Sequence, residues 1–224
     1  EGRVNASSLR EFSPSVCNRL DRNTSGIVLA GCSLKGLQIL SEAVRERTIG
    51  KYYLCVVKGA VTGPQEIAGW LVKDARSNRV TIAEKELPEG LPIRTRYLPL
   101  FCDGRLTVLE VELITGRSHQ IRAHLASIGH PVAGDPKYGD PALNRKLKET
   151  AGVCGQLLHA WRLVMPGTLP EPLSYLSGRE FLAEPPAAMD RVIKSVRAGD
   201  RRQRKGEDGH GNLEQPRASR IHAG

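Results

Sequence analysis

The stretch IRTRYLPLFCDGRLTVLEVELIT, residues 93–115, decides the fold class because it holds two strand-like runs joined by a turn dipeptide. Asp103-Gly104 is typical of a tight hairpin turn, and β-branched, leucine and aromatic residues dominate both flanks. In the second run, alternate residues from Thr107 to Leu113 form a mostly apolar face, as expected of a half-buried strand. The stretch therefore predicts an antiparallel pair of strands.

Other segments on both sides of this hairpin have the same strand-like character. Upstream lie KYYLCVVKG (51–59), EIAGWLVKD (66–74) and RVTIAE (79–84), and downstream lie LLHAWRLVMP (157–166) and GREFLAEPP (178–186). They are short, rich in β-branched or aromatic residues, and bounded by glycine, proline or charged residues. These segments therefore predict further short strands.

Two segments have helical spacing instead. LKGLQILSEAVRERT (34–48) places its apolar residues on one face and follows Ser33, a suitable N-cap, after the short apolar strand predicted at GIVLAG (26–31). A second helix is expected between Ser118 as N-cap and Gly129 just past its end. Together these elements predict an α+β domain with a mixed, largely antiparallel sheet and flanking helices.

The domain organisation is read from composition. Residues 1–15 are expected to be a truncated or irregular segment, and residues 16–190 to form the folded domain. Residues 191–224 are basic and contain few apolar side chains to offset the entropy cost of ordering, so we expect a disordered tail, with a short helix at RVIKSVRAG (191–199) as the alternative for its first part.

Charge and cysteine content indicate the class of partner and the compartment. The chain has 33 Lys and Arg against 24 Asp and Glu, a formal charge of +9, which favours polyanionic partners, nucleic acid above all. Five scattered cysteines without a C-x-x-C pair argue against a disulfide framework and favour a cytoplasmic protein. No run approaches the length of a membrane span, so we expect no membrane partner, and we expect a monomer.

The histidine, serine and cysteine residues suggest two other kinds of site, a metal site and a hydrolase site. His119 and His124 are five apart, about 140° around a helix, so they do not share a face for a metal, and we expect no metal site. Ser25 or Cys17 could serve as the nucleophile of a hydrolase, but no histidine stands beside either in a recognisable elbow. The hydrolase stays the weaker alternative.

Three blocks, RLDRNTSGIVLAG (19–31), KYYLCVVKG (51–59) and TGRSHQIRAHLASIGHPVAGDPKYG (115–139), resemble in order and spacing three motifs of the RluA/RluD-type RNA pseudouridine synthases. The similarity runs from about Val16 to about Pro185 and weakens in the strand-rich middle. It implies an enzyme that isomerises uridine to pseudouridine within ribosomal or transfer RNA, without a cofactor.

The resemblance also implies roles for individual residues. Asp21 matches the family's essential catalytic aspartate, and Arg122 matches the arginine that pairs with it. Tyr53 matches the tyrosine that packs on the flipped base, and Arg19 the arginine that probes the RNA stack. Three more residues of these blocks are expected to contact RNA, namely Lys51, Arg117 and His119. An arginine near a carboxylic acid favours its ionised form, as a nucleophile or base requires.

The chain departs from the family pattern at two places. Asn18 stands where the family has histidine, although an amide can still hydrogen-bond locally. The family also carries an earlier strand with a Lys-Pro pair, which residues 1–15 do not show. A non-catalytic RNA-binding protein with the same fold, inactive because its N-terminal part is missing, therefore stays open as the alternative.

Overall fold

A computed structural model of the protein describes residues 12–74 and 79–207. Its strands are β1 (Ser15–Val16), β2 (Ser25–Gly26), β3 (Ala30–Gly31), β4 (Gly50–Lys58), β5 (Gln65–Asp74), β6 (Arg79–Ala83), β7 (Leu91–Cys102), β8 (Leu106–Leu113), β9 (Leu158–Val164) and β10 (Glu180–Leu182). Its helices are α1 (Leu34–Arg45), α2 (Gln120–Ser127), α3 (Pro141–Ala151) and α4 (Ala187–Glu207), with a 3-10 turn at Ser174–Leu176.

One large sheet organises the fold, in the order β10-β9-β4-β8-β7-β5-β6. Neighbours along this path are antiparallel, whereas β2 adds to β9 in parallel, and β1 and β3 form a separate antiparallel ribbon. The expected α+β class with a mixed, largely antiparallel sheet is confirmed. The β7–β8 hairpin turns at Asp103, whose carboxylate Oδ1 accepts the backbone N–H groups of Arg105 and Leu106 at 2.9 and 2.8 Å.

Helices cover both faces of the central strands. Alternate residues of β4 separate the two sides: Tyr53, Cys55 and Val57 pack with α2 on one face, and Val56 packs with α3 and α4 on the other. Residues 106–109 of β8 are buried in succession, which explains why the sequence of this strand lacks a clean polar face. The core therefore has two layers divided by the sheet.

The first helix begins as its sequence predicts. The Ser33 side chain accepts the Gly36 N–H at 3.2 Å, so the N-cap is confirmed. The single strand expected at residues 26–31 is wrong, because the chain changes partners there. The N–H of Ile27 donates to Ala160 of β9 at 2.9 Å, and Leu29 accepts from the N–H of Cys17 in the ribbon at 2.8 Å.

The expected disorder of the C-terminal tail is wrong as far as Glu207, because α4 includes residues 191–207; residues 208–224 lie outside the described ranges. Met189, Val192 and Val196 are buried against the sheet, so a few apolar residues at helical spacing suffice to order the segment. The Asp200 carboxylate adds a bond from the backbone N–H of Cys102 at 3.3 Å. No helix in the described part of the chain is long and apolar enough to cross a membrane.

Candidate functional site

The Asp21 loop connects β1 to β2 and is fixed mainly by backbone contacts. The Thr24 N–H returns to the Asp21 carbonyl at 3.0 Å, closing a turn. The buried Gln156 amide donates to the Arg22 carbonyl at 2.6 Å and to the Thr24 hydroxyl at 3.1 Å. The Arg22 side chain is exposed, so its main-chain oxygen, not its charge, supports the loop.

Gly26 and Asn18 hold the two ends of this loop. Gly26 has φ +115°, and a Cβ there would lie 2.2 Å from the carbonyl oxygen of Ala160, so only glycine lets β2 pair with β9. Asn18, the residue that departs from the family's histidine, accepts the Leu29 N–H through Oδ1 at 2.8 Å. The amide thus anchors the start of the loop, as the sequence allowed.

Arg122 enters the site from α2, whose start differs from the prediction. The N-cap position is His119, in the left-handed region at φ 59°, and Ser118 is not the cap. The buried Gln120 side chain fixes this turn instead, because its Oε1 accepts from the Arg117 N–H at 3.1 Å and from the Thr115 hydroxyl at 2.9 Å. The helix therefore begins just before the arginine that it aims inward.

One guanidinium joins two carboxylates at the centre of the site. Arg122 Nη1 donates to Asp21 Oδ2 at 3.0 Å, while Nε and Nη2 donate to the two oxygens of Asp135 at 2.7 and 2.8 Å. Arg122 and Asp135 are buried, whereas the Asp21 side chain is 22% exposed. Asp135 thus fixes the orientation of the guanidinium, and Asp21 is the carboxylate left accessible.

The surroundings of Asp135 explain why a fully buried carboxylate stays charged. Burial alone would raise the pKa of Asp135, but the hydrogen bonds from Arg122 and from the N–H groups of Lys137 and Tyr138 hold its pKa below the ordinary value. Burial likewise works against the charge of Arg122, and the two carboxylates outweigh it, so the pKa of Arg122 is raised. The three groups form a charged cluster at neutral pH.

Tyr53 forms the floor of the same cleft. Its side chain is buried on β4, and burial, together with the nearby charge of Asp21, raises its pKa to about 12. The hydroxyl therefore keeps its proton throughout the physiological range. Apolar side chains of Leu20, Leu113 and Ile121 line the walls beside it. The cleft thus has a nearly buried tyrosine in its lining next to an accessible carboxylate.

Basic side chains surround the opening of the cleft, which has a volume of about 220 Å³. Arg19 and Arg117 are exposed, and Lys51 is half-buried, with a pKa lowered by burial and by the charge of Arg47. All the site residues that the sequence suggested line this one cleft: Arg19, Asp21, Lys51, Tyr53, Arg117, His119 and Arg122. Their individual roles stay predictions.

Sequence reasoning assigned no role to two residues of the site, Asp135 and Tyr138. Tyr138 lies beside the cluster, with the Arg122 guanidinium 5.3 Å from the centre of its ring. Both residues belong to the third sequence block, GDPKYG, so the block signalled their region. Their roles could not be read because the arginine they contact lies on another element.

The hydrolase alternative gains little from the structure. The Ser25 hydroxyl does bond to a histidine, His159 Nδ1 at 2.8 Å, but the other ring nitrogen of His159 faces the Ala183 carbonyl at 2.9 Å instead of a carboxylate. His159 is buried, so the pair ties β2 to β9. In residues 12–74 and 79–207, no three His, Cys, Asp or Glu side chains group as metal ligands, and all five cysteines are free thiols.

A family model described as RNA pseudouridylate synthase matches residues 2–127, more than half of the chain. The chain belongs to this family. Asp21, Tyr53 and Arg122 all lie within the matched residues, whereas Asp135 and Tyr138 follow them.

Relatives of this synthase family match at moderate identity. An uncharacterized RNA pseudouridine synthase of Chloroflexus aurantiacus is 34% identical over 83% of the chain and 54% of its own length. The ribosomal large subunit pseudouridine synthase D of Nitrosomonas europaea is 33% identical over 81% and 52%, respectively. The chain spans about half the length of the curated relatives it matches.

Solved structures support the fold. Human RNA pseudouridylate synthase domain containing 4 aligns over 82% of this chain and 76% of its own, with a TM-score of 0.66 and 19% identity. Human RNA pseudouridylate synthase domain containing 1 aligns over 85% and 83%, with a TM-score of 0.60 and 24% identity. These likenesses show that the chain has the pseudouridylate synthase fold.

Proposed function

We propose that this protein isomerises uridine to pseudouridine in structured RNA, with Asp21 as the essential catalytic carboxylate. The observation that carries the proposal is the accessible Asp21, paired with a buried arginine beside the buried ring of Tyr53 in one cleft. The relative from Nitrosomonas europaea and a synthase C from Haemophilus ducreyi are both named for the large ribosomal subunit, which favours ribosomal RNA as substrate and leaves transfer RNA as the second choice. We further predict a cytoplasmic monomer.

Each part of the cleft has a task in this reaction. A uridine stacked within RNA must be extruded before its base can be reached, at a cost of roughly a few kcal/mol. The exposed Arg19 side chain is placed at the opening, where it can occupy the gap left in the stack. Tyr53 offers a ring face to the flipped base, and its protonated hydroxyl can donate a hydrogen bond.

Asp21 is arranged to act as a nucleophile or base. Its Oδ2 is engaged by Arg122, and Oδ1 has no hydrogen-bond partner among the described residues, so Oδ1 is the oxygen left for the substrate. The adjacent guanidinium forms an ion pair with the Asp21 carboxylate, the form of the side chain that either role uses. Whether Asp21 first attacks the sugar, adds to the base or removes a sugar proton, the same ionised oxygen is used.

The test is a comparison of the native protein with Asp21→Asn and Asp21→Ala on ribosomal RNA that lacks modifications. Pseudouridine formation, measured by tritium release from RNA containing 5-tritiated uridine, should be lost in both variants. An Asp21 variant that still forms pseudouridine would refute the catalytic assignment. Mapping pseudouridines in RNA from cells with and without the gene then identifies the target.

The non-catalytic alternative is distinguished in the same experiment. The chain spans only about half of its relatives' length, so RNA binding without turnover is the second candidate. It predicts binding that weakens steeply with salt, as phosphate contacts require, and no isomerisation by either the native protein or the Asp21 variants.

A further inference from the structure

His119 lies at the edge of the Asp21 cleft with one ring nitrogen already engaged. Its Nδ1 is 3.0 Å from the hydroxyl of Tyr138, and the two rings meet edge to face with centroids 5.7 Å apart. His119 occupies the N-cap position of α2 in the left-handed region of backbone space. His119 lines the cleft, and Nε2 is its ring nitrogen with no hydrogen-bond partner among the described residues.

The hydrogen bonds of Tyr138 determine where the imidazole proton sits. The backbone N–H of Val80 donates to the Tyr138 oxygen at 2.9 Å, so the hydroxyl proton is left to donate to His119 Nδ1. A neutral histidine whose Nδ1 accepts carries its proton on Nε2. The pair thus presents an N–H donor to the cleft.

Tyr138 is itself held by the charged cluster at the catalytic centre. Its ring lies 5.3 Å from the Arg122 guanidinium and 5.5 Å from that of Arg79, and its backbone N–H donates to Asp135 at 3.2 Å. The groups that orient Arg122 toward Asp21 therefore also fix Tyr138.

Charges of both signs face His119, and its pKa lies below the ordinary value, mainly because of burial. Burial lowers the pKa of His119; Asp21 and Asp135 act to raise it, whereas Arg122 and Lys137 lower it further. The imidazole is therefore neutral at pH 7, as the hydrogen-bond pattern requires.

We propose that Tyr138 is a positioning residue that holds His119 as an Nε2–H donor to a carbonyl oxygen of the flipped uracil. The proposal rests on the proposed pseudouridine synthase function. In the route through the sugar, an Asp21 oxygen bonds to ribose C1′ as the C1′–N1 bond breaks, and the electron pair of that bond leaves with the base as negative charge on its two carbonyl oxygens. Base C5 then attacks C1′ and releases the Asp21 carboxylate, and the proton lost from C5 is balanced by one gained at N1. A fixed donor at one carbonyl oxygen stabilises the negative charge as it develops.

The first test is the tautomer in the free protein. Nitrogen-15 NMR of the histidine ring should show protonated Nε2 and unprotonated Nδ1 for His119 at pH 7. Tyr138→Phe keeps the ring beside Arg122 but removes the hydroxyl, so the two tautomers should both become populated. A native His119 with its proton on Nδ1 would overturn the inference, whatever the activity of the protein.

The second test is kinetic, with single-turnover measurements giving the chemical step. His119→Leu should lower kcat by roughly 100-fold, the scale of losing one donor to a developing charge, with little change in KM. His119→Gln supplies an amide N–H and should recover part of the rate. His130→Gln is the matched control, because His130 is a half-buried histidine that contacts the Lys58 carbonyl away from the cleft lining, so the change should leave both constants unchanged.

Two outcomes separate this inference from its alternatives. If His119→Leu raises KM in a salt-dependent way while kcat holds, His119 contacts phosphate and the inference fails. If the native protein makes no pseudouridine, the proposed function fails, and the nitrogen spectrum still decides whether Tyr138 fixes the tautomer. Thermal unfolding of Tyr138→Phe checks the fold, since Val80 loses its acceptor in that variant.

Discussion

Asp135→Asn should destabilise the protein far more than Asp21→Asn, although both variants remove one carboxylate from the same arginine. The Oδ1 atom of Asp135 accepts from Arg122 Nη2 and from the N–H groups of Lys137 and Tyr138, so an asparagine oxygen can replace it. Its Oδ2 accepts from Arg122 Nε at 2.7 Å, and there the asparagine NH2 would oppose a donor. A buried charge would thus be left partly unpaired.

The magnitude follows from burial. Removing one partner of a buried ion pair costs about 3–5 kcal/mol in the free energy of unfolding, or roughly 6–20 °C in Tm at 2–4 °C per kcal/mol for a chain of this size. Asp21 makes a single bond of 3.0 Å to the arginine from a side chain that is 22% exposed, so its removal should cost about 1 kcal/mol or less. Denaturant titrations of the two variants measure the difference directly.

The pH dependence provides an independent check. The pKa of Asp135 in the folded protein lies below its ordinary value, so its contribution to stability is present above the unfolded pKa of about 3.9. That contribution is lost as the pH falls through the lower folded pKa. The gap in unfolding free energy between the native protein and Asp135→Asn should therefore narrow below about pH 4.

Activity separates the roles of the two carboxylates. Asp21→Asn should abolish pseudouridine formation in a stable protein, whereas Asp135→Asn should reduce it because Arg122 loses its alignment. Equal stability losses in the two variants, or an Asp135→Asn protein that unfolds like the native one, would refute the conclusion that Asp135 anchors the arginine.

Three further predictions concern Tyr53 in the cleft, Gly26 at the end of the Asp21 loop, and Cys55 in the core. Tyr53→Phe should bind RNA but turn over more slowly. A free tyrosine ionises near pH 10, but the pKa of Tyr53 is raised to about 12, so the absorbance difference between the native protein and Tyr53→Phe should show the Tyr53 phenolate only well above pH 10. Gly26→Ala should lower the free energy of unfolding by more than about 1 kcal/mol, because the added methyl meets the Ala160 carbonyl. Thermal unfolding should show a lower Tm, and activity should fall with it. Cys55 is fully buried, which raises its thiol pKa, so a thiol reagent should modify it only on unfolding, after the exposed cysteines.

The sheet could be predicted from sequence because each of its long strands is a local run of β-branched, aromatic and leucine residues. Helix α3 was not predicted, although its sequence carries equally local signals. The Asp140 side chain caps its start by accepting the Leu143 N–H, Pro141 is its first residue, and Gly152 ends it with φ 68°. Helix α4 was obscured by its charge. Its apolar residues stabilise it only against the sheet, and that contact is not visible in the segment alone.

The site could be predicted only in part, for a similar reason. The residues Asp21, Tyr53 and Arg122 were found through the motifs that contain them, and the structure places them in one cleft. Asp135 was missed because its importance arises from two hydrogen bonds to a guanidinium on a different element. A side chain that acts by orienting another has no signature of its own in the sequence.

The composition of the charged cluster accounts for the basic surroundings of the cleft. Two carboxylates, Asp21 and Asp135, share the single positive charge of Arg122, so the centre carries a net charge of about −1 while His119 is neutral. An RNA phosphate approaching that centre would be repelled at short range. Under the proposed function, the cations at the opening, Arg19, Lys51 and Arg117, would therefore offset both the negative cluster and the RNA phosphates.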